Sequence, residues 1–144
     1  MQQMKAKEYL QQLKLLDVKI DQKLKQAGDL RQMAQATGAL DYSKDRVQTS
    51  PSGDSMSNAV IRYLSLEEEV DRQIDQFVDL KNQIINQIQA LKDVNYVQVL
   101  FKRYVEYKAL EVIAVEMGYT YQYVRILHGH ALQDFEKIIN TIQH

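Results

Sequence analysis

The sequence predicts an all-α chain: a long antiparallel two-helix coiled-coil hairpin followed by a C-terminal three-helix helix-turn-helix domain. Three observations predict it. Apolar residues recur every three or four positions through two segments much longer than an ordinary globular helix. Breakers are scarce, with one proline and five glycines in 144 residues, and Gly38, Pro51 and Gly53 all fall in one polar stretch between those segments. Finally, Leu110 to Leu127 sets a glycine and a cap residue between two short amphipathic runs, the pattern of a helix-turn-helix.

The first helix is expected over about 2–36. Tyr9, Leu13, Leu16, Ile20, Leu24, Ala27, Leu30 and Ala34 form its apolar stripe, and lysine, glutamine and aspartate occupy the other face. Gly38 supplies the stop. A loop over 37–54 follows, rich in Ser, Asp, Gly and Pro. Its length inside a compact domain implies either disorder or a role of its own. The second helix is expected over about 55–91, capped from Asp54–Ser57. Its stripe is Ala59, Tyr63, Leu66, Val70, Ile74, Phe77, Leu80, Ile84, Ile88 and Leu91. Val78 and Ile85 widen the stripe, so more than one neighbour packs there.

Charge predicts how these two helices meet. Residues 1–36 carry seven Lys/Arg against four Asp/Glu, and residues 55–91 carry three against six. Folding back at the loop brings Lys19, Lys23 and Lys25 opposite Glu67, Glu68 and Glu69. Exposed pairs contribute only ~0.2–1 kcal/mol each, so charge selects the pairing while burial stabilises it. A lone hairpin buries one narrow seam and is marginal. Either a second copy or the C-terminal domain must cover it. The homodimer is the preferred reading, with 1–91 as the dimerisation domain.

Residues 92–144 make the second domain. Asn95 followed by Gln98 reads as a capping box starting a helix over Tyr96–Tyr104. Ile113, Met117, Tyr119, Val124 and Leu127 are spaced to close two short helices on each other, and Ala114 lets them approach. Gly118 ends the first because a left-handed backbone costs glycine little, and Thr120 caps the second. In the second helix Val124, Leu127, Ala131 and Leu132 face inward. Thr120, Tyr121, Gln122, Arg125, Ile126 and Gly129 face outward and form the candidate DNA-contacting row. Glutamine pairs with adenine edges, arginine with guanine or phosphate, and isoleucine with a thymine methyl. Arg103 and Lys108, with Lys102, are expected to flank the groove. From Gly118 to Gln133 there is no carboxylate, one arginine and two histidines that add charge at mildly acid pH.

Other classes are excluded or disfavoured. The chain is 45% hydrophobic and 26% charged, an ordinary soluble balance, with a formal net charge of −1. No global basic field exists, which predicts weak non-specific affinity for a polyanion. Cysteine is absent, which removes disulfides and thiolate metal sites and fits a reducing cytosol. No run reads as a membrane span or signal peptide. His128 and His130, two apart on a helix, point in different directions and define no metal site. No nucleophile–base pair or phosphate-cradling loop appears, so neither an enzyme nor a cofactor is expected.

Arg103 to Phe135, RYVEYKALEVIAVEMGYTYQYVRILHGHALQDF, resembles region 4 of bacterial sigma factors. There a RY…LEEIA…G.S…V…..AL pattern recurs, matched here by Arg103-Tyr104, Leu110-Glu111, Ile113-Ala114, Gly118, Val124-Arg125 and Ala131-Leu132. Ala109 replaces the serine that usually starts the first motif helix. Tyr121, Gln122 and Tyr123 replace charged residues of the second. Sigma regions 2 and 3 have no counterpart. Over nearly its whole length the chain is similar to an uncharacterised phage and prophage family of Gram-positive bacteria. Shared features are the helical first half, a VQTSP.GD-like loop (Val47 to Asp54) and an IA.EMGY…LHG.AL tail. Such proteins resemble the RinA- and ArpU-type late transcription regulators of phages. The resemblance implies control of phage gene expression in the cytoplasm of a bacterial host. Duplex DNA is the expected partner. The alternative is a helical adaptor that docks on RNA polymerase or another protein without reading bases.

Overall fold

In a computed structural model, which describes residues 5–36 and 52–142, every regular element is helical. The elements are α1 (Ala6–Ala36), α2 (Ser52–Gln89), α3 (Val94–Leu100), a π-helical turn (Phe101–Val105), α4 (Leu110–Met117) and α5 (Tyr121–Ile142). Residues 37–51 of the expected loop, with the Gly38 stop, lie outside the described residues. The second helix already begins at Ser52, a few residues earlier than expected. Helix ends shift by that much when several adjacent residues are able to cap. Among the described residues no helix is long and apolar enough to cross a membrane.

Packing divides the chain into two compact units, Met1–Asp17 with Phe77–His144, and Val18–Gln76. The division falls inside both long helices, not at the 91/92 boundary expected from sequence. The first unit has one continuous core. Leu10 and Leu13 from α1, Ile84 and Ile88 from α2, Leu100 from α3, Ile113 from α4 and Val124 and Phe135 from α5 are all fully buried in it. Tyr9 stacks on Phe135 at 6.1 Å, while its hydroxyl donates to Gln87 Oε1 at 2.7 Å and accepts from Gln83 Nε2 at 3.0 Å. Within this unit α5 is the hub: α3 and α4 both pack on it.

The second unit pairs the remaining stretches of α1 and α2. Lys23 Nζ meets Glu69 Oε1 at 3.2 Å, and further along Leu30 and Met33 line a cleft with Asn58, Ala59 and Arg62. One stretch advances as the other retreats, so the two run antiparallel. Of the three lysines expected opposite the glutamates, Lys23 has such a partner; Lys25 pairs with Asp21 of its own helix at 3.1 Å. The buried seam is thin: Ile20, Ala27, Ala34, Leu66 and Val70. Leu24 and Ile74, expected inward, are 50% and 38% exposed. A straight helix drifts by ~20° per heptad, which carries some stripe positions off the seam.

Candidate nucleic-acid interface

The candidate face is assembled by local rules in the first unit. Asp93, not the expected Asn95, caps α3: its carboxylate accepts from the backbone N–H of Asn95 at 2.8 Å and of Tyr96 at 3.4 Å. Asn95 lies within the first turn, where its side chain donates to the Tyr119 hydroxyl at 3.4 Å. The expected helix over Tyr96–Tyr104 changes character at Phe101, where a π turn widens the backbone. Beyond it Tyr107 takes a left-handed φ of 61°, a conformation that disfavours a side chain. Its hydroxyl donates to Asp17 Oδ2 at 2.9 Å and its ring lies 5.8 Å from Lys14 Nζ, contacts that offset the strain.

The α4–α5 connection follows the sequence reading closely. Gly118 has φ 75°, its N–H reaches the Val115 carbonyl at 3.3 Å, and the Tyr119 N–H reaches the Ala114 carbonyl at 2.9 Å. These paired bonds are a Schellman ending. Thr120 Oγ1 then accepts from the Tyr123 N–H at 3.1 Å, the N-cap bond expected of it. Ala109 begins α4 with no side-chain cap. Glu116 near the other end of α4 binds Lys102 Nζ at 2.8 Å and Lys108 Nζ at 2.8 Å, tying α4 to the preceding turn.

In α5, Val124, Leu127, Ala131, Phe135 and Ile139 form the buried row. Leu132 is half-buried beside it. On the other side Thr120, Tyr121, Gln122, Tyr123, Arg125 and Ile126 are exposed. Arg125 lies 5.8 Å over the Tyr121 ring, a cation–π contact that restrains a long side chain without neutralising it. Gln122 and Arg125 enter no side-chain hydrogen bond or ion pair with another described residue. Gly129 is half-buried, and a Cβ built there meets nothing within 4 Å. No described neighbour therefore requires glycine at this position.

Arg103 and Lys108 are not brought to that row as free cations. Arg103 Nη1 donates to the Lys108 carbonyl at 3.0 Å, bracing the turn before α4. Lys108 is shared between Glu116 and Glu106. Those hydrogen bonds raise the pKa of Lys108 and lower that of Glu116. His128 also departs from expectation. Its Nε2 is 2.8 Å from the Tyr104 hydroxyl, and the two rings stack at 5.7 Å. Burial first, then nearby Arg103 and Lys7, push its pKa down to about 4. It stays neutral at mildly acid pH, so the expected gain of charge does not occur there.

Several groups beside the face are exposed that the sequence reading either placed inward or did not single out. Tyr119, expected to help close the two helices, is 39% exposed and meets Tyr123 edge-on at 4.8 Å. On α4, Val112 and Val115 are 46% and 81% exposed. Their three-residue spacing on an otherwise apolar helix hid them, because periodicity cannot tell a covered valine from an uncovered one. Among the described residues no group of three or more His, Cys, Asp or Glu is placed to hold a metal. Comparison of the chain with family models, with curated proteins and with solved structures finds no match.

Proposed function

We propose that the chain is a DNA-binding transcription regulator of phage or prophage origin. In this reading α4 and α5 form a sigma-region-4-like helix-turn-helix, α3 supports it, and α5 enters the major groove. The long α1–α2 pair serves as a coiled-coil hairpin that joins two copies, presenting two reading heads to duplex DNA. The observation that carries the reading is the row Tyr121, Gln122, Arg125 and Ile126. It is exposed along the first turns of α5 opposite a fully buried row, on a stretch free of carboxylates. Glutamine and arginine so placed can bond base edges bidentately. With Arg103, Lys102 and Lys108 engaged inside the unit, phosphate contacts per copy are few, and non-specific affinity is correspondingly low.

The test is to select bound fragments from genomic DNA and then titrate the selected site. Arg125→Ala is expected to weaken specific binding by ~1–3 kcal/mol with helicity unchanged. Equal affinity of the variant and the parent for that site removes Arg125 from the role.

One observation favours a second reading, an adaptor that docks on RNA polymerase or another protein. Val112 and Val115 leave an apolar surface on α4, which suits a protein partner better than a phosphate backbone. Gel shifts across salt concentrations separate the two. Retention that falls steeply with salt marks direct DNA binding, and co-purification with polymerase without a shift marks the adaptor.

A further inference from the structure

Within the first unit, α1 and the turn before α4 converge on a recess that the DNA-binding reading does not use. Leu10, Gln11, Lys14, Arg103, Tyr104 and Tyr107 line it, and its volume is about 100 Å³. At ~30 Å³ per water molecule in the liquid, that space takes a small polar group and not a large ligand. Leu10 and Tyr104 are buried and Arg103 and Tyr107 half-buried, while Gln11 and Lys14 stand exposed on one face of α1. Exposed lysines on a helix are ordinary. Here a lysine, an arginine and an amide from two distant segments open on one cavity. Arg103 forms no ion pair with a described residue. It spends one of its five N–H donors on the Lys108 carbonyl at 3.0 Å, which holds the guanidinium in place. Lys14 has no carboxylate partner among the described residues, and its ammonium lies 5.8 Å from the Tyr107 ring. The nearby Asp17 carboxylate accepts instead from the Tyr107 hydroxyl at 2.9 Å. Glu106 and Glu116, which neutralise Lys102 and Lys108, do not line the recess. The positive field is felt by His128, which is bonded to Tyr104. After burial, it is Arg103 and then Lys7 that hold its pKa down, and Lys7 shares the Gln11 and Lys14 face of α1 at helical spacing.

We propose that this recess seats a terminal phosphate, free or as a monoester, held by the Arg103 guanidinium, the Lys14 ammonium and the Gln11 amide. The site goes beyond the DNA-binding reading and does not depend on it. Arginine's planar fork and lysine's point charge both suit an oxyanion. A carboxylate brings two oxygens and a single charge. A terminal phosphate brings three acceptor oxygens and most of a second negative charge near neutral pH, which matches two cations and an amide beside Asp17 better. A backbone phosphodiester, with one charge, matches them less well.

Titrating the full chain with inorganic phosphate, followed by NMR at ionic strength held constant with chloride, tests this. Saturable shifts at Gln11, Lys14, Arg103 and Tyr107 are expected, with half-saturation on the order of 1 mM. Lys14→Met keeps an apolar stem against the Tyr107 ring, removes the charge, and weakens binding by ~10-fold. Gln11→Glu sets a carboxylate at the recess and weakens it at least as much. Both positions are exposed, so circular dichroism should show helicity retained. Lys19→Met, exposed in the second unit, removes the same charge elsewhere and leaves affinity unchanged. Shifts that stay linear without saturating, or a Lys14→Met variant that binds as the parent does, overturn the site. Repeating the titration with methyl phosphate separates the sources: tighter binding than inorganic phosphate identifies a monoester, and weaker binding the free ion. A short DNA duplex that moves the same signals at lower concentration than either overturns the terminal-phosphate assignment, whereas a duplex that moves only signals of α5 upholds it. The phosphate titration contains no DNA, so its failure and that of the DNA-binding reading are told apart.

Discussion

The two units draw on the same pair of helices and the same three-and-four spacing, yet they bury different fractions of it. In the first unit Leu10, Leu13, Ile84 and Ile88 are sealed because α3, α4 and α5 add further layers to the core. In the second, Ile20, Ala27, Ala34, Leu66 and Val70 close one seam, and Leu24, Leu64 and Ile74 remain in contact with solvent. Two helices can share only one line of contact. Burial of a wider stripe needs a third body, which the first unit supplies from its own chain and which the described residues of the second do not.

The largest expected effect lies at the centre of the sealed core. Phe135 is fully buried against Tyr9, so Phe135→Ala is expected to cost ~3–5 kcal/mol, read from chemical denaturation. A loss below ~1 kcal/mol, small for any large-to-small core change, would break the contrast between a sealed and an open unit. A smaller effect of opposite sign is expected in the second unit. Gln73 Oε1 is buried with no hydrogen-bond partner among the described residues. Replacing it by an apolar side chain, Gln73→Leu, is expected to stabilise by ~1 kcal/mol, seen as slower amide exchange in residues 58–76. Faster exchange there would mean that the glutamine contributes more than its unsatisfied oxygen costs.

The smallest effect is a pH dependence confined to the first unit. The pKa of His128 is held down at about 4 in the folded chain, against an ordinary value of ~6.5. Between those values the unfolded state binds a proton that the folded state refuses, so stability falls as pH drops from about 6.5 towards about 4. The imidazole is part-exposed, which limits the size of the effect. Denaturation at neutral pH and near pH 5 should show this loss, and His128→Gln should lessen it. An identical loss in the variant would assign it to carboxylates instead.

Much of the candidate face was legible because it is local. Gly118, Thr120 and the Val124–Leu127 spacing each answer to neighbours within a turn, and all three stand where the sequence puts them. Less local features were not legible. Asn95 looked like a cap until Asp93, two residues earlier, took the orphan N–H groups. Arg103 and Lys108 looked like free cations, but folding brings them to the Lys108 carbonyl and to Glu116. His128 looked titratable, and Tyr104, far back in the chain, both buries and binds it.

The sequence by itself determined that the chain is helical, where its long helices run and how the α4–α5 turn closes. Periodicity, glycine and cap chemistry act over a few residues and need no other part of the molecule. Only the tertiary structure decided which stretches of α1 and α2 are fully covered and which charges are already paired. Burial and ion pairing depend on groups distant in the chain, and a heptad pattern records only that a residue is fit to be covered, not what covers it.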